Sequence, residues 1–303
     1  ILPDRRASMR ILVVGAGAIG GYFGGRLRAA GRDVTFLVRA RRAAQLAETG
    51  LVIRSPRGDL DLSNPPTITA ATLHEPFDLI LLSCKAYDLD GAVDALVRAV
   101  GPHTAILPLL NGIRHLDVLD QRFGAERVLG GQCVISTMLD PDGRILHLSE
   151  VHNLSFGARD GSRSRQMEAI ASALSGAGFE ARLSEAIMRE MWEKWVFIAA
   201  GAGITCLMRA AIGDIVAAGA AELAATLLDE CGAIAAAEGF APSEASARRS
   251  RTMLTTPGSA LTASMLRDIE RGAPTEADHI VGDLLRGVAR TARARSCALP
   301  MRT

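Results

Sequence analysis

The chain has 303 residues, 49% of them hydrophobic and 22% charged, which is apolar material for two cores and more length than one ordinary domain needs. Lys and Arg total 34 against 33 Asp and Glu, so the formal charge of +1 creates no broad field to hold a nucleic-acid backbone or an anionic membrane. No apolar run reaches the roughly 18 to 20 residues of a spanning helix, because Arg, Asp or Glu interrupts every Ala/Leu/Val-rich stretch. Five cysteines, Cys84, Cys133, Cys206, Cys231 and Cys297, form no C-x-x-C pair and no Cys/His cluster. Their odd number and wide spacing argue against a disulfide framework or a zinc site and fit a reducing cytoplasm, with no metal expected.

Residues 1–8 lack the apolar core of a secretory signal and precede an initiator-like Met9, so they read as a tag remnant or an upstream extension. The first predicted strand, Ile11-Leu12-Val13-Val14, runs into Gly15-Ala16-Gly17-Ala18-Ile19-Gly20 and then a helix to Ala30. Gly31 stops that helix, and a second strand follows from Val34 to Val38. Further strands are predicted at Leu79 to Ser83, Ala105 to Leu109 and Arg127 to Ser136, with helical stretches such as Asp90 to Val100 between them. This alternation predicts an α/β domain over residues 9–182, a Rossmann-type doubly wound parallel sheet.

Beyond about residue 165 strand signals vanish, and apolar residues recur every three or four positions in long Ala-rich runs. These are Arg165 to Gly176, Glu185 to Ala200, Ala211 to Glu238, Ala260 to Arg271 and Glu276 to Arg295. An all-helical domain is therefore predicted over residues 183–303, its helices punctuated by Gly239, Pro242, Pro257 and Gly258. Arg286 to Arg295 forms a basic stripe that reads as a solvated helix face.

G-x-G-x-x-G is a weak pattern alone, but here it lies between a strand and a helix, where each glycine has a task. Gly15 permits the tight turn, Gly17 lets a pyrophosphate approach the backbone, and Gly20 allows close helix-to-strand packing. With Ala18 and Ile19 they form the predicted cofactor loop, at a helix N-terminus that favours diphosphate charge. Where an NAD enzyme offers an acidic residue to the ribose, at the end of the second strand, this chain has Leu37-Val38-Arg39, followed by Arg41 and Arg42. Arginine suits a 2′-phosphate, so NADPH is the expected cofactor.

Only Lys85 and Lys194 are lysine; the other 32 of the 34 basic side chains are arginine. A chain that writes Arg wherever a generic cation suffices marks these two positions as places for an ammonium that can lose its proton. Leu82-Ser83-Cys84-Lys85-Ala86-Tyr87 and Pro108-Leu109-Leu110-Asn111-Gly112 follow predicted strands. In the helical part come Trp192-Glu193-Lys194, Ser264-Met265-Leu266-Arg267-Asp268-Ile269, Arg271-Gly272 and Thr275-Glu276. In this order and at these separations the set resembles the ketopantoate reductase family (2-dehydropantoate 2-reductases) over nearly the whole chain from Met9.

The resemblance implies an NADPH-binding Rossmann domain, a helical substrate and catalytic domain, and a cleft between them in which NADPH reduces a 2-oxo acid. The first substrate it implies is 2-dehydropantoate, reduced to pantoate for pantothenate biosynthesis by a monomer or homodimer with no nucleic-acid or membrane partner. It places Lys85 near the cofactor, and Asn111 and Glu276 at both cofactor and active-site network. It makes Lys194 the general acid and Ser264 a substrate ligand, and it implies a terminal helix beyond Pro300. Physical chemistry supports the lysine. Hydride addition builds negative charge on the carbonyl oxygen, and a lysine ammonium can deliver a proton there, which a guanidinium effectively cannot.

Three positions depart from the family. Where well-known members carry asparagines along the substrate pocket, four and eight residues after the lysine and three before the serine, this chain has Ile198, Ala202 and Leu261. A hydroxylated substrate would lose partners there at roughly 1 to 3 kcal/mol for each one truly desolvated. Two alternatives stay open: reduction of a more apolar 2-oxo acid, and a non-catalytic NADP-binding regulatory protein.

Overall fold

The computed structural model of the protein describes residues 9–286, so the expectations for residues 1–8, for Cys297 and for the stripe beyond Arg286 lie outside the described residues. The first half carries β1 (Arg10–Val14), α1 (Ala18–Ala29), β2 (Asp33–Leu37), α2 (Ala40–Thr49), β3 (Leu51–Arg54), β4 (Leu60–Leu62), β5 (Thr67–Ile68) and β6 (Phe77–Leu82). It continues with α3 (Leu89–Leu96), β7 (Val100–Pro108), α4 (Arg114–Phe123), β8 (Gly130–Leu139), β9 (Ile145–Gly157), α5 (Arg165–Leu174) and β10 (Glu180–Leu183). Helices follow: α6 (Ile187–Met208), α7 (Ile212–Ala217), α8 (Ala221–Ala237), α9 (Glu244–Thr255), α10 (Ser264–Glu270) and a π-helical turn at Asp278–Gly282.

Two compact units emerge. One comprises the chain up to Leu110 together with His115–Ile187; the other comprises Asn111–Arg114 together with the chain from Met188 onward. In the first, β5-β2-β1-β6-β7 form a sheet in which every pairing is parallel. β1 at its centre is apolar and buried from Ile11 to Val14, as a strand covered on both faces must be. The Rossmann-type α/β reading of this half therefore stands.

The same unit holds a second, mixed sheet that the sequence did not announce, ordered β10-β9-β3-β4 with β8 beside β9. One edge of the long β9 takes β8 antiparallel; β3 pairs with it at Ile145 and Leu146, and β10 at Asn153 to Phe156, both parallel. The expectation that strands end by residue 165 is corrected by β10. Its sequence Glu-Ala-Arg-Leu carries no apolar run, and it is a strand because β9 offers it a ladder. The predicted strand from Arg127 to Ser136 divides: Val128 bridges to Ile106 of β7, while β8 starts at Gly130 in the other sheet.

In the second unit the described elements are helical, as expected, with different boundaries. The long run Ala211 to Glu238 is two helices, broken where Gly219 takes a φ of +82°. The helix α9, Glu-Ala-Ser-Ala-Arg-Arg-Ser-Arg-Thr-Met-Leu-Thr, was not anticipated, because its exposed arginines hide a narrow buried face of Ser246, Ser250 and Leu254. A hydrophobic cluster in the first unit is centred on Phe23, Phe36 and Phe156, with Leu12, Ile80, Leu96, Ile106 and Leu119 buried outside it, and a cluster in the second unit is centred on Trp192, Trp195 and Ile204. Among the described residues no helix is long and apolar enough to cross a membrane.

Candidate active site

The glycine loop has the shape its sequence requires. Gly15 sits at a φ of +90°, and its N–H donates to the Leu37 carbonyl of β2 at 2.9 Å. A Cβ on Gly20 would fall inside contact distance of both the Ser83 Oγ and the Gly15 carbonyl oxygen, whereas one on Gly17 would meet nothing within 4 Å. The loop is thus tight where α1 packs on the sheet and open where a pyrophosphate would approach. No side chain caps α1 at Gly17 and no acidic residue lies in its first turn, which leaves first-turn N–H groups, from Ala18 and Ile19 among them, for an anion. These residues fit a dinucleotide.

Arg42 holds the loop, a role the sequence did not reveal. Its Nε and Nη2 donate to the Ala16 carbonyl at 3.1 and 2.9 Å, and Nη2 also reaches the Gly143 carbonyl at 3.1 Å. Half-burial pushes its guanidinium pKa below the ordinary value. Arg39 differs: its side chain is 82% exposed and its Nη2 lies 2.6 Å from Asp88 Oδ1. Lys85 is exposed and precedes the 3-10 turn Ala86–Asp88.

The other candidates lie in the second unit, where Lys194 sits half-buried near the start of α6. The two flanking tryptophans fix that turn. Trp192 stacks on Phe240 at 5.5 Å, and Trp195 Nε1 donates to the Ile280 carbonyl at 2.8 Å. Glu276 is only 6% exposed, and its carbonyl accepts from His279 N and Ile280 N. Asn111 leads into Gly112, whose φ is +75°; a Cβ on Gly112 would stand 3.1 Å from the His279 carbonyl and 3.8 Å from the Trp195 ring. Three predicted segments, those of Asn111, Lys194 and Glu276, therefore converge through Gly112, Trp195 and the 276–280 turn.

Asp283, which the sequence reading missed, ties this corner together. It is buried and accepts from Arg114 Nη1 at 3.1 Å and from Arg286 Nη2 at 2.6 Å, with His279 Nδ1 3.3 Å away. Its signal was the repeat His279-x-x-x-Asp283-x-x-Arg286, one face of a helical turn.

Ser264 is the exposed first residue of α10. It is linked to α6 by Thr205, a buried side chain that accepts from Ala263 N at 3.4 Å and donates to the Gly201 carbonyl at 2.6 Å. Ile198, one turn past Lys194, and Leu261 are partly buried against the second cluster, while Ala202, 2% exposed, lies within it. Among the described residues no group of three or more His, Cys, Asp or Glu side chains could hold a metal ion.

Comparison with known proteins decides the family. A family model described as ketopantoate reductase PanE/ApbA matches residues 11–161, and one described as ketopantoate reductase PanE/ApbA C terminal matches residues 186–301. A 2-dehydropantoate 2-reductase of Mesorhizobium japonicum is 30% identical over 297 residues, covering 90% of this chain and 89% of the relative. The chain belongs to the ketopantoate reductase family. A protein of Bacillus subtilis named uncharacterized oxidoreductase YkpB is 40% identical over 287 residues and 94% of each chain. The crystal structure of 2-dehydropantoate 2-reductase from Geobacter metallireducens superposes with a TM-score of 0.84 at 28% identity, over 93% of this chain and 94% of that one. A D-mandelate dehydrogenase solved with NADH and anilino(oxo)acetate shares the fold, with a TM-score of 0.82 at 22% identity over 94% and 93% of the two chains. As a ketopantoate reductase family member the protein is an oxidoreductase that uses a nicotinamide dinucleotide to reduce a 2-oxo acid.

Proposed function

We propose that the protein reduces a 2-oxo acid to the 2-hydroxy acid with NADPH, and that 2-dehydropantoate is the first substrate to be tested, which would place it in pantothenate biosynthesis. In this reading the first unit binds the dinucleotide and the second carries the catalysis. Gly15, Gly17, Ala18, Ile19 and Gly20 would hold the pyrophosphate, Arg39 the 2′-phosphate, and Lys85 would add positive charge beside it. The bound dinucleotide supplies the hydride. Lys194 holds a proton at Nζ and gives it to the carbonyl oxygen as charge builds there. Ser264 and Asn111 bind and orient the substrate, and buried Glu276 anchors the segment that packs on Trp195 and Gly112.

The single observation that carries this reading is the convergence of Asn111, Lys194 and Glu276. Residues remote in sequence meet around one tryptophan, one residue from the lysine that replaces arginine against the habit of the chain. A second reading, a more apolar 2-oxo acid, is favoured by Ile198 and Leu261, which are partly exposed apolar side chains at positions where the family carries amides. The D-mandelate dehydrogenase of the same fold supports keeping the substrate class wide.

The test is NADPH oxidation with 2-dehydropantoate, 2-oxoisovalerate and other 2-oxo acids. A kcat/KM for 2-dehydropantoate at least a hundredfold above 2-oxoisovalerate, about 2.7 kcal/mol, supports the first reading; comparable values support the second. NADPH binding without turnover of any 2-oxo acid would overturn both and leave a cofactor-binding regulatory protein.

A further inference from the structure

At the end of β2 the place of the usual ribose-binding carboxylate is taken by Arg39, but a carboxylate is present nonetheless. Asp88 supplies it, from the turn that follows β6, on the far side of β1 from β2. Asp88 occupies the N-cap position of α3, where an aspartate ordinarily accepts an N–H of the first turn. It makes no such bond; its carboxylate turns instead to Arg39 Nη2 at 2.6 Å. The pair bridges the end of β1, where the glycine loop begins.

We propose that Asp88 is a specificity-determining residue that restrains the preference for a 2′-phosphorylated dinucleotide by holding Arg39 and by opposing the phosphate charge. The inference rests on the reading of Arg39 given above. The pair faces water, with side chains 82% and 37% exposed, so it is worth little on its own and exchanges readily. A guanidinium has five N–H donors, and Asp88 engages one of them. The remainder can take a phosphate oxygen while Asp88 stays in place. A phosphate monoester carries about −1.5 to −2 at neutral pH, and the carboxylate on the same guanidinium repels it. A 2′-hydroxyl suffers no such repulsion and can donate to the carboxylate, as it does to the acidic residue of NAD enzymes. Asp88 thus taxes NADPH and tolerates NADH.

The experiment is equilibrium titration of NADPH and NADH, by fluorescence of the bound nicotinamide, together with 2′,5′-ADP and 5′-AMP as fragments that isolate the 2′-phosphate. The proteins are the unmodified chain, Asp88→Asn, Arg39→Ala and the double variant, at low and at high salt. Asp88→Asn should raise the NADPH-to-NADH affinity ratio at least fivefold, about 1 kcal/mol, chiefly through tighter NADPH. The fragments should follow, and salt should shrink the effect. A ratio that moves less than twofold overturns the proposal. So does weaker NADPH binding in Asp88→Asn, which would make Asp88 a residue that merely positions Arg39. The Arg39 reading is judged separately. If Arg39→Ala keeps the preference of the unmodified chain, the 2′-phosphate is bound elsewhere and that reading fails, whatever Asp88 does.

Discussion

The glycine loop of the first unit and the lysine segment of the second solve the same problem, fixing a chemical group in space, by opposite means. In the loop the proposed working parts are backbone N–H groups, and the geometry is set by the side chains that are missing at Gly15, Gly17 and Gly20. On α6 the proposed working part is one long side chain, and the geometry is set by large side chains beside it, Trp192 and Trp195, gripping Phe240 and Ile280. A loop built on absent side chains fails when one is added; a helix turn built on anchors fails when one is removed. The two regions should therefore break in different ways.

The largest expected effect is at the lysine. Lys194→Ala should lower kcat by roughly a hundredfold or more, the usual worth of a placed general acid, with NADPH affinity close to unchanged. Lys194→Arg should not restore it, because a guanidinium keeps its proton. Full steady-state activity in the Arg variant would reduce the role of Lys194 to charge alone and erase the contrast drawn between the regions.

Next come the glycines, which separate folding from binding within one loop. Gly20→Ala puts a methyl against Ser83 and the Gly15 carbonyl and should cost about 1 to 3 kcal/mol in urea unfolding. Gly17→Ala meets no protein atom, so its stability should stay near that of the unmodified chain while NADPH affinity falls about tenfold, or about 1.4 kcal/mol. If both variants lose stability equally, the loop is packed throughout and has no opening at Gly17.

Trp195→Phe sharpens the other side of the comparison. It deletes the donor to the Ile280 carbonyl but keeps an aromatic ring, and it should cost about 1 to 2 kcal/mol. kcat should fall several-fold while the NADPH dissociation constant does not change; a change confined to NADPH affinity would contradict the role given to Trp195 as a positioning residue.

The smallest effect belongs to neither region and provides a baseline for pH. Burial, with the neighbouring His147, Arg57 and Arg26, lowers the pKa of His152 below its ordinary 6.5, and Glu150 acts in the opposite sense. Tyr22 Oη lies 2.6 Å from His152 Nδ1, and the His147 ring stacks on it at 5.5 Å. The unfolded chain then takes up this proton at higher pH than the folded one, so stability should decline as pH falls through about 6.5 and level off below the folded value. His152→Gln should flatten that slope between pH 7.5 and 5.5 in thermal unfolding. An unchanged slope would place the acid sensitivity elsewhere.

These contrasts also explain which features could be read from the chain. The shape of the glycine loop was legible because glycine states a backbone requirement locally: a positive φ at Gly15 and a close approach at Gly20. Lys194 was singled out as a candidate through composition and through the resemblance to a family. Asp88 was not, because Asp88-Leu89-Asp90 reads as an ordinary helix start, and its partner Arg39 lies 49 residues earlier. Arg42 was read with Arg39 and Arg41 as part of an arginine group suited to a 2′-phosphate, yet it binds the Ala16 carbonyl. The family resemblance implied that Ala202 lines the pocket, and the structure puts it inside the hydrophobic cluster, so an amide placed there would be buried. Ile198→Asn alone is consequently the better probe of substrate preference.

The sequence by itself determined the parallel sheet, the glycine loop and the helical second half, because each rests on short-range rules: apolar runs for covered strands, glycines for turns, a three-to-four-residue apolar period for helices. Only the tertiary structure decided the second sheet, the pairing of Arg39 with Asp88, and the meeting of Asn111, Lys194 and Glu276. Each of these depends on groups far apart in the chain: Ile53 of β3 and Ile145 of β9 are 92 residues apart, Arg39 and Asp88 49, and Trp195 and Ile280 85. A ladder, an ion pair or an indole hydrogen bond exists only when its partner is delivered by the rest of the fold, and a strand such as Glu180–Leu183, whose polar-apolar alternation spans only four residues, forms because β9 supplies the edge it completes.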